Sequence, residues 1–368
     1  MWKQVPALFV VAMAFIMVVC NLLISSKKQA YWITHMKHRS LLISLIATLM
    51  MLSWSLASLG QAPSGLQGTI IVLNKSGHDA SFIDLASGSM VATLATGRGP
   101  HELVVTSDGR WAVGTDYSGG NSLTVFDVSV PEVVRTIDLS DYPRPHGIVL
   151  LPGERSVVIT SESSRKLVTV DFHSGEITGE VGTQRPGSHM VAVSVDGRTA
   201  FTSNGGSDDV SIINLLAGEF VSSLNVPARP EAIQTNRMGS EVWVGSNDDE
   251  VVTVYDVSSG QQLAQWQGFS WPYRVLLTRD ERLAIMPDLG NESLRFFEVA
   301  DMEEIARMDF PGAQPQGVVL HPDDRTLFLS LSGQNRIAVI DIETRQIMGY
   351  LPAGSAPDGI GYSMMELR

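Results

Sequence analysis

From residue 69 onward, apolar residues come in short bursts broken by turn residues. Within a burst they alternate with polar ones at period two, the mark of half-buried strands rather than helices. One unit reads "ELVVTS", an Asp108-Gly109 turn, "WAVGT", a polar loop, "SLTVFD", a Val-Pro-Glu turn and "VVRTIDLS". This predicts four strands in succession. "HMVAVSVDGRTAFTSN", "EAIQTNRMGSEVWVGSN" and "GVVLHPDDRTLFLSL" keep the order of the first two strands and their turn, and helical periodicity is nearly absent.

The unit repeats. An apolar residue followed by an acid or amide ends one strand of each copy, at Asp84, Asp127, Asp171, Asn214, Asp256, Glu298 and Asp341, with spacings of 43, 44, 43, 42, 42 and 43. Seven copies of a four-strand unit predict an all-β fold, a seven-bladed β-propeller of four-stranded blades. The last copy, ending "APDGIGYS", stops before its final strand, whereas the domain begins with an unmatched one, "GTIIVLNKSG". Residues 69–74 are therefore expected to pair with the last blade and close the ring, satisfying backbone groups that an open edge would leave free.

A strand ending in "ID", a Gly-containing segment, "P-H-G-I" or "P-x-G-V", a turn like "S-P-D-G" and a strand ending in "S-N" or "T-S" together resemble the YVTN-repeat, or YncE-like, propellers. The closest stretches are "RPHGIVLLPGERSVVITSE", "GSHMVAVSVDGRTAFTSNGGSDDVSIINL" and "APDGIGYS", and the resemblance covers about residues 66–364. It implies the fold. Propellers of this type include binding proteins, lactonase-like hydrolases, heme d1 carriers and quinoprotein chains, so the resemblance does not choose an activity.

In that family's blade the strand after the Pro-x-Gly position lines the central channel. The aligned position holds His101, His146, His189, Glu231, Tyr273, Gln316 and Asp358, a ring at one channel mouth. The end of the second strand should bring Asn74, Asp116, Glu162, Asn204, Asn247 and Asp288 to the same face. Imidazoles and carboxylates together suit zinc, copper or iron, which makes His101, His146 and His189 the candidate ligands of a divalent metal. Carboxylates and amides alone would suit calcium. The structural alternative pairs His101 with Asp116 and His146 with Glu162 as hydrogen-bonded couples. In "SWPYRV", Trp271, Tyr273 and Arg274 set aromatics beside a cation, either to grip a planar or sugar-like ligand or to plug the channel. His173 and His321 fall at hairpin turns, and Ser161 and Ser163 lack a nucleophile-elbow pattern.

The first sixty residues differ. Pro6 to Ile24 and Ser40 to Leu59 are apolar runs, each about long enough to span a bilayer, around a basic loop carrying Lys27, Lys28, Lys37 and Arg39. The positive-inside bias places that loop in the cytoplasm and the propeller outside. Two readings stay open: residues 1–35 form an extra hydrophobic segment, or they are a mis-assigned start ahead of a signal peptide or signal anchor at 36–60 that begins at Met36. The propeller then occupies 61–368. Both readings make it periplasmic or extracellular, touching the membrane only through an uncleaved N-terminal segment.

The chain carries a net charge of −13, and its first sixty residues contain no Asp or Glu. So acidic a domain repels phosphate backbones and is not expected to bind nucleic acid. The one cysteine, Cys20, lies in the first apolar run, which leaves the propeller without disulfides, cysteine zinc sites or covalent heme attachment. Three functional expectations follow. The first is an exported binding or interaction protein that takes a small molecule or an envelope protein on the channel face. The second is a metal-dependent, lactonase-like hydrolase. The third is a heme d1-like or redox-associated propeller.

Overall fold

The computed structural model describes residues 65–367; both N-terminal apolar runs and the readings of them lie outside the described residues. Twenty-eight strands, β1 to β28 in chain order, form seven four-stranded antiparallel sheets. Six blades follow chain order outward from their innermost strands: β4 (Pro100–Val105), β8 (Pro145–Leu150), β12 (Ser188–Val193), β16 (Pro230–Thr235), β20 (Leu276–Leu277) and β24 (Pro315–Leu320). The seventh joins the two ends of the described chain: β28 (Pro357–Ser363) lies innermost, followed by β1 (Thr69–Asn74), β2 (Asp79–Asp84) and β3 (Ser89–Ala95). The predicted closure is the β1–β28 pairing, which sets Thr69 opposite Ser363 and Val72 opposite Ile360. The N-terminal share of this blade is three strands.

The sequence forms blades because burial differs from strand to strand. Every residue of β1, "TIIVLN", is buried, whereas β3, "SMVATLA", alternates exposed and half-buried. A middle strand is covered on both faces by neighbouring blades and so reads as a continuous apolar run; an outer strand keeps one face in water. The core is accordingly divided into seven apolar clusters, one between each pair of consecutive blades. One of them packs Ile70, Val72 and Ile83 of the closing blade on Phe328, Ile337 and Val339 of the blade before it.

The repeat landmark also has a physical cause. The Asp84 carboxylate accepts from the Ser87 amide at 2.9 Å, Asp171 accepts from the amides of His173 and Ser174, and Asp341 from those of Glu343 and Thr344. An acid at the end of the third strand thus builds the Asx turn into the fourth.

Candidate functional site

The channel mouth is built by a bulge. Pairing between innermost and second strands shifts register between Pro100 and Leu103, Pro145 and Ile148, Ser188 and Val191, and Pro230 and Ile233. A bulge adds a residue to one strand and leaves an amide without its ladder partner. A hydroxyl of the second strand takes that amide. Thr160 accepts from Gly147 N and donates to the carbonyl of His189 in the next blade at 2.7 Å; Thr115 does the same between Glu102 and His146, and Ser203 between Met190 and Glu231. The Ser or Thr before the strand end therefore stitches one blade to the next. Glycines let the inner strands crowd together: a Cβ on Gly317 would run into the Asp358 carbonyl, and one on Gly359 into the His101 carbonyl.

All seven ring positions stand just inside the starts of the innermost segments. A cleft of about 620 Å³ is lined by His101, His189, Glu231, Tyr273 and Gln316, with Lys75, Tyr117, Arg144, Glu162 and Trp271 around them. His146 lies beneath, 0% exposed. Its ring stacks on His189 at 3.6 Å between centroids, lies 4.4 Å from His101 and meets the edge of Tyr117 at 4.5 Å. Neither of its nitrogens has a hydrogen-bond partner. An unsatisfied buried polar group costs about 1–3 kcal/mol. Burial, and then the neighbouring His189, His101, Lys75 and Arg144, push the His146 pKa well down, so the ring is neutral.

Charges are paired around the cleft. Asp358, wholly buried, accepts from the Tyr273 hydroxyl at 2.9 Å and lies 3.1 Å from Lys75 Nζ and 2.5 Å from His101 Nδ1. Burial would raise its pKa, but His101, Lys75 and Arg274 hold it well below the usual carboxylate range. Glu162 accepts from Arg144 at 2.6 Å and from Tyr117 at 2.9 Å. Burial opposes its ionisation too; His189, Arg144 and Tyr117 outweigh it and bring the pKa to about 2. Glu231 accepts from Asn247 at 2.6 Å and from the Trp271 indole at 3.0 Å. Arg274 reaches Glu102 in another blade and donates to the Tyr273 carbonyl at 2.5 Å. Burial lowers the Arg274 pKa to about 10, which leaves it charged at neutral pH.

The second expected set divides by strand pleat. Glu162 and Asn247 reach the ring. Asn74, Asp116, Asn204 and Asp288 point between strands and hold loops in place. Asn74 donates to Asp79 and Ser81; Asn204 donates to Asp209 and Ser211. Asp288 accepts from the Ser270 and Trp271 amides. Asp116 accepts from Ser122 and Thr124, and its pKa is raised to about 6 by burial against those hydrogen bonds. The His101–Asp116 and His146–Glu162 couples do not form: His101 faces Asp358 and His146 has no partner. Nor does the expected metal set stay intact. Glu102, not His189, joins His101 and His146, with donor atoms of the three within 4.8 Å of one another. The His189 nitrogens face Glu162 at 3.6 Å and Glu231 at 3.8 Å. Sequence reasoning missed Lys75, Glu102, Tyr117 and Arg144.

The remaining candidates lie elsewhere. His173 packs on Trp111 and His321 on Tyr362, while Ser161 donates to the Pro143 carbonyl. None of the three lines the cleft.

Fold and site together define a seven-bladed propeller with a polar cleft at one channel mouth. No family model matches the sequence, and no curated protein matches it. Solved structures do. A functionally unknown protein from Desulfotomaculum acetoxidans superposes with a TM-score of 0.69 at 14% identity, over 81% of this chain and 99% of that one. Hydrazine synthase of Kuenenia stuttgartiensis gives 0.62 at 17% identity, over 71% and 88%. The dihydro-heme d1 dehydrogenase NirN in complex with DHE gives 0.61 at 14% identity, over 82% and 77%. At these identities the likeness is one of fold. Among the described residues no helix is long and apolar enough to cross a membrane.

Proposed function

We propose that the chain is an exported YVTN-type propeller that binds a small polar ligand in the channel-mouth cleft. The observation that carries this reading is convergence: side chains from all seven blades meet at one mouth, and several of them line a cleft of about 620 Å³, within the roughly 300–1,000 Å³ usual for ligand pockets. Two buried acceptors at the mouth, Gln316 Oε1 and Asn247 Oδ1, have no partner in the protein. Lys75, Arg144 and Arg229 ring the cleft, and the Arg229 guanidinium sits 5.7 Å from the Trp271 ring centroid. Cations beside an aromatic plane favour a planar ligand bearing a carboxylate. Export rests on the two apolar runs and the basic loop between them.

The heme reading has one point in its favour, since NirN is a propeller-bearing neighbour whose structure is a complex with DHE. The fully buried His146 is closed to a macrocycle, which leaves His101 and His189 as the histidines such a ligand would meet. A thermal-shift panel of aromatic carboxylates, lactones and hemin, run on the parent and on Trp271→Ala, tests both readings. Stabilisation by a probe in the parent that vanishes in the variant supports cleft binding. A panel in which no shift depends on Trp271 counts against it.

A further inference from the structure

We propose that His101, Glu102 and His146 form a site for a divalent first-row transition metal, with zinc the best-matched ion. The site lies beneath the same cleft, which His101 alone of the three lines, and it needs no organic ligand there. Two imidazoles and one carboxylate with coordination positions left open are a donor set for zinc and for related ions; calcium and magnesium, which want oxygen alone, fit poorly.

Three observations converge on it. The donor atoms lie within 4.8 Å of one another. Zinc with bonds of roughly 2.0–2.2 Å holds its ligands about 3.5 Å apart, so small side-chain rotations complete the set. His146 is fully buried with both nitrogens unpartnered. Asp358, 2.5 Å from Nδ1 of His101, stands where an outer carboxylate orients a ligating imidazole, and Glu102 lies 3.5 Å from the same ring. Tyr273 and Lys75 fix that carboxylate in turn. The bulge at Pro100–Leu103 is what allows His101 and Glu102, adjacent in sequence, to offer donors to one point.

Arg274 is the competing cation on Glu102. It has other anchors, the Tyr273 carbonyl at 2.5 Å and Glu231 at 4.0 Å, and can keep them when Glu102 turns to an ion. His189 is not among the residues whose donor atoms come within 4.8 Å of one another.

The purified full-length chain, stripped with chelator, is titrated with Co²⁺ while visible absorption is followed, then with Zn²⁺ in competition and Ca²⁺ as control. The expected result is one equivalent of Co²⁺ with visible bands, displaced by Zn²⁺ and not by Ca²⁺. Glu102→Gln, which keeps a hydrogen bond to Arg274, should weaken binding by more than the ten- to hundredfold that loss of an outer partner costs. His173→Gln, at a hairpin turn away from the cleft, should leave affinity unchanged. X-ray absorption of the zinc-loaded parent, which needs no variant, should count two imidazoles. Any of four results overturns the site: no stoichiometric uptake, an oxygen-only shell, full affinity in Glu102→Gln, or equal loss in His173→Gln. Failure of the organic-ligand panel would leave these readouts untouched, so the two proposals fall separately.

Discussion

Tyr273 and Asp358 meet across the bore: the phenol, from the blade of β20, donates to the carboxylate of the closing blade at 2.9 Å, and both side chains are buried. Burial and the neighbouring Asp358 push the Tyr273 pKa well up, so the hydroxyl remains a donor at any working pH. Tyr273→Phe removes the bond and keeps the ring. A hydrogen bond to a charged group contributes about 1.5–3 kcal/mol, and a loss in that range is expected by urea denaturation. An unchanged midpoint would mean that Lys75 and His101 alone suffice for Asp358.

Acid should weaken the ring through the cleft carboxylates. The Glu162 pKa is about 2 in the folded protein against roughly 4.3 for an unfolded glutamate. Between those values the unfolded chain binds the extra proton, so stability rises with pH across that window and is lost as pH falls through it. Asp358, also held well below the usual carboxylate range, acts in the same sense. Urea midpoints measured from pH 5 to pH 2 should fall steeply in the parent and less steeply in Glu162→Gln. Parallel curves would show that Glu162 does not titrate as described.

The hydroxyl stitches give a test free of charge. Thr160→Val keeps shape but leaves the Gly147 amide and the His189 carbonyl without the partner they share. A cost of about 1–3 kcal/mol is expected for the buried unsatisfied groups, read as a lower melting temperature. Thr178→Val offers the control, since its 3.4 Å bond lies on an exposed strand.

Ring closure predicts a cooperative loss. Deleting residues 66–75 removes β1, which lies between β28 and β2 and supplies Ile70 and Val72 to one inter-blade cluster and Ile71 and Leu73 to another. The deletion should abolish the single melting transition and leave the chain protease-sensitive throughout. A variant that melts like the parent would refute the described closure.

Much of this architecture was legible because repetition averages out local ambiguity. Asp84, Asp127 and Asp171 mark strand ends in the sequence and prove to be turn-building acids in the structure. His101, His146 and His189 share one position of the repeat and stand together at the mouth. Four of the six residues of the second set point away from the ring, for a simple reason: side chains alternate along a strand, so a slip of one residue exchanges faces. Asp116, Asn204 and Asp288 are strand-end residues, whereas Glu162 and Asn247 come one residue later. Keeping a constant offset of sixteen from the ring position would have selected Tyr117 in place of Asp116 and retained Glu162 and Asn247. Glu102 carried no such signal. Its approach to His146 depends on a bulge, and its partner Arg274 comes from a blade far away in sequence.

The closing blade also imposes an order of events on the growing polypeptide. Strands β1 to β3 precede the other blades in the chain, yet their inner neighbour, β28, follows all of them. While the intervening blades are being made, that first sheet carries a bare edge, the kind that recruits foreign strands. A nascent chain built this way gains from being kept unfolded, or escorted, until β28 arrives.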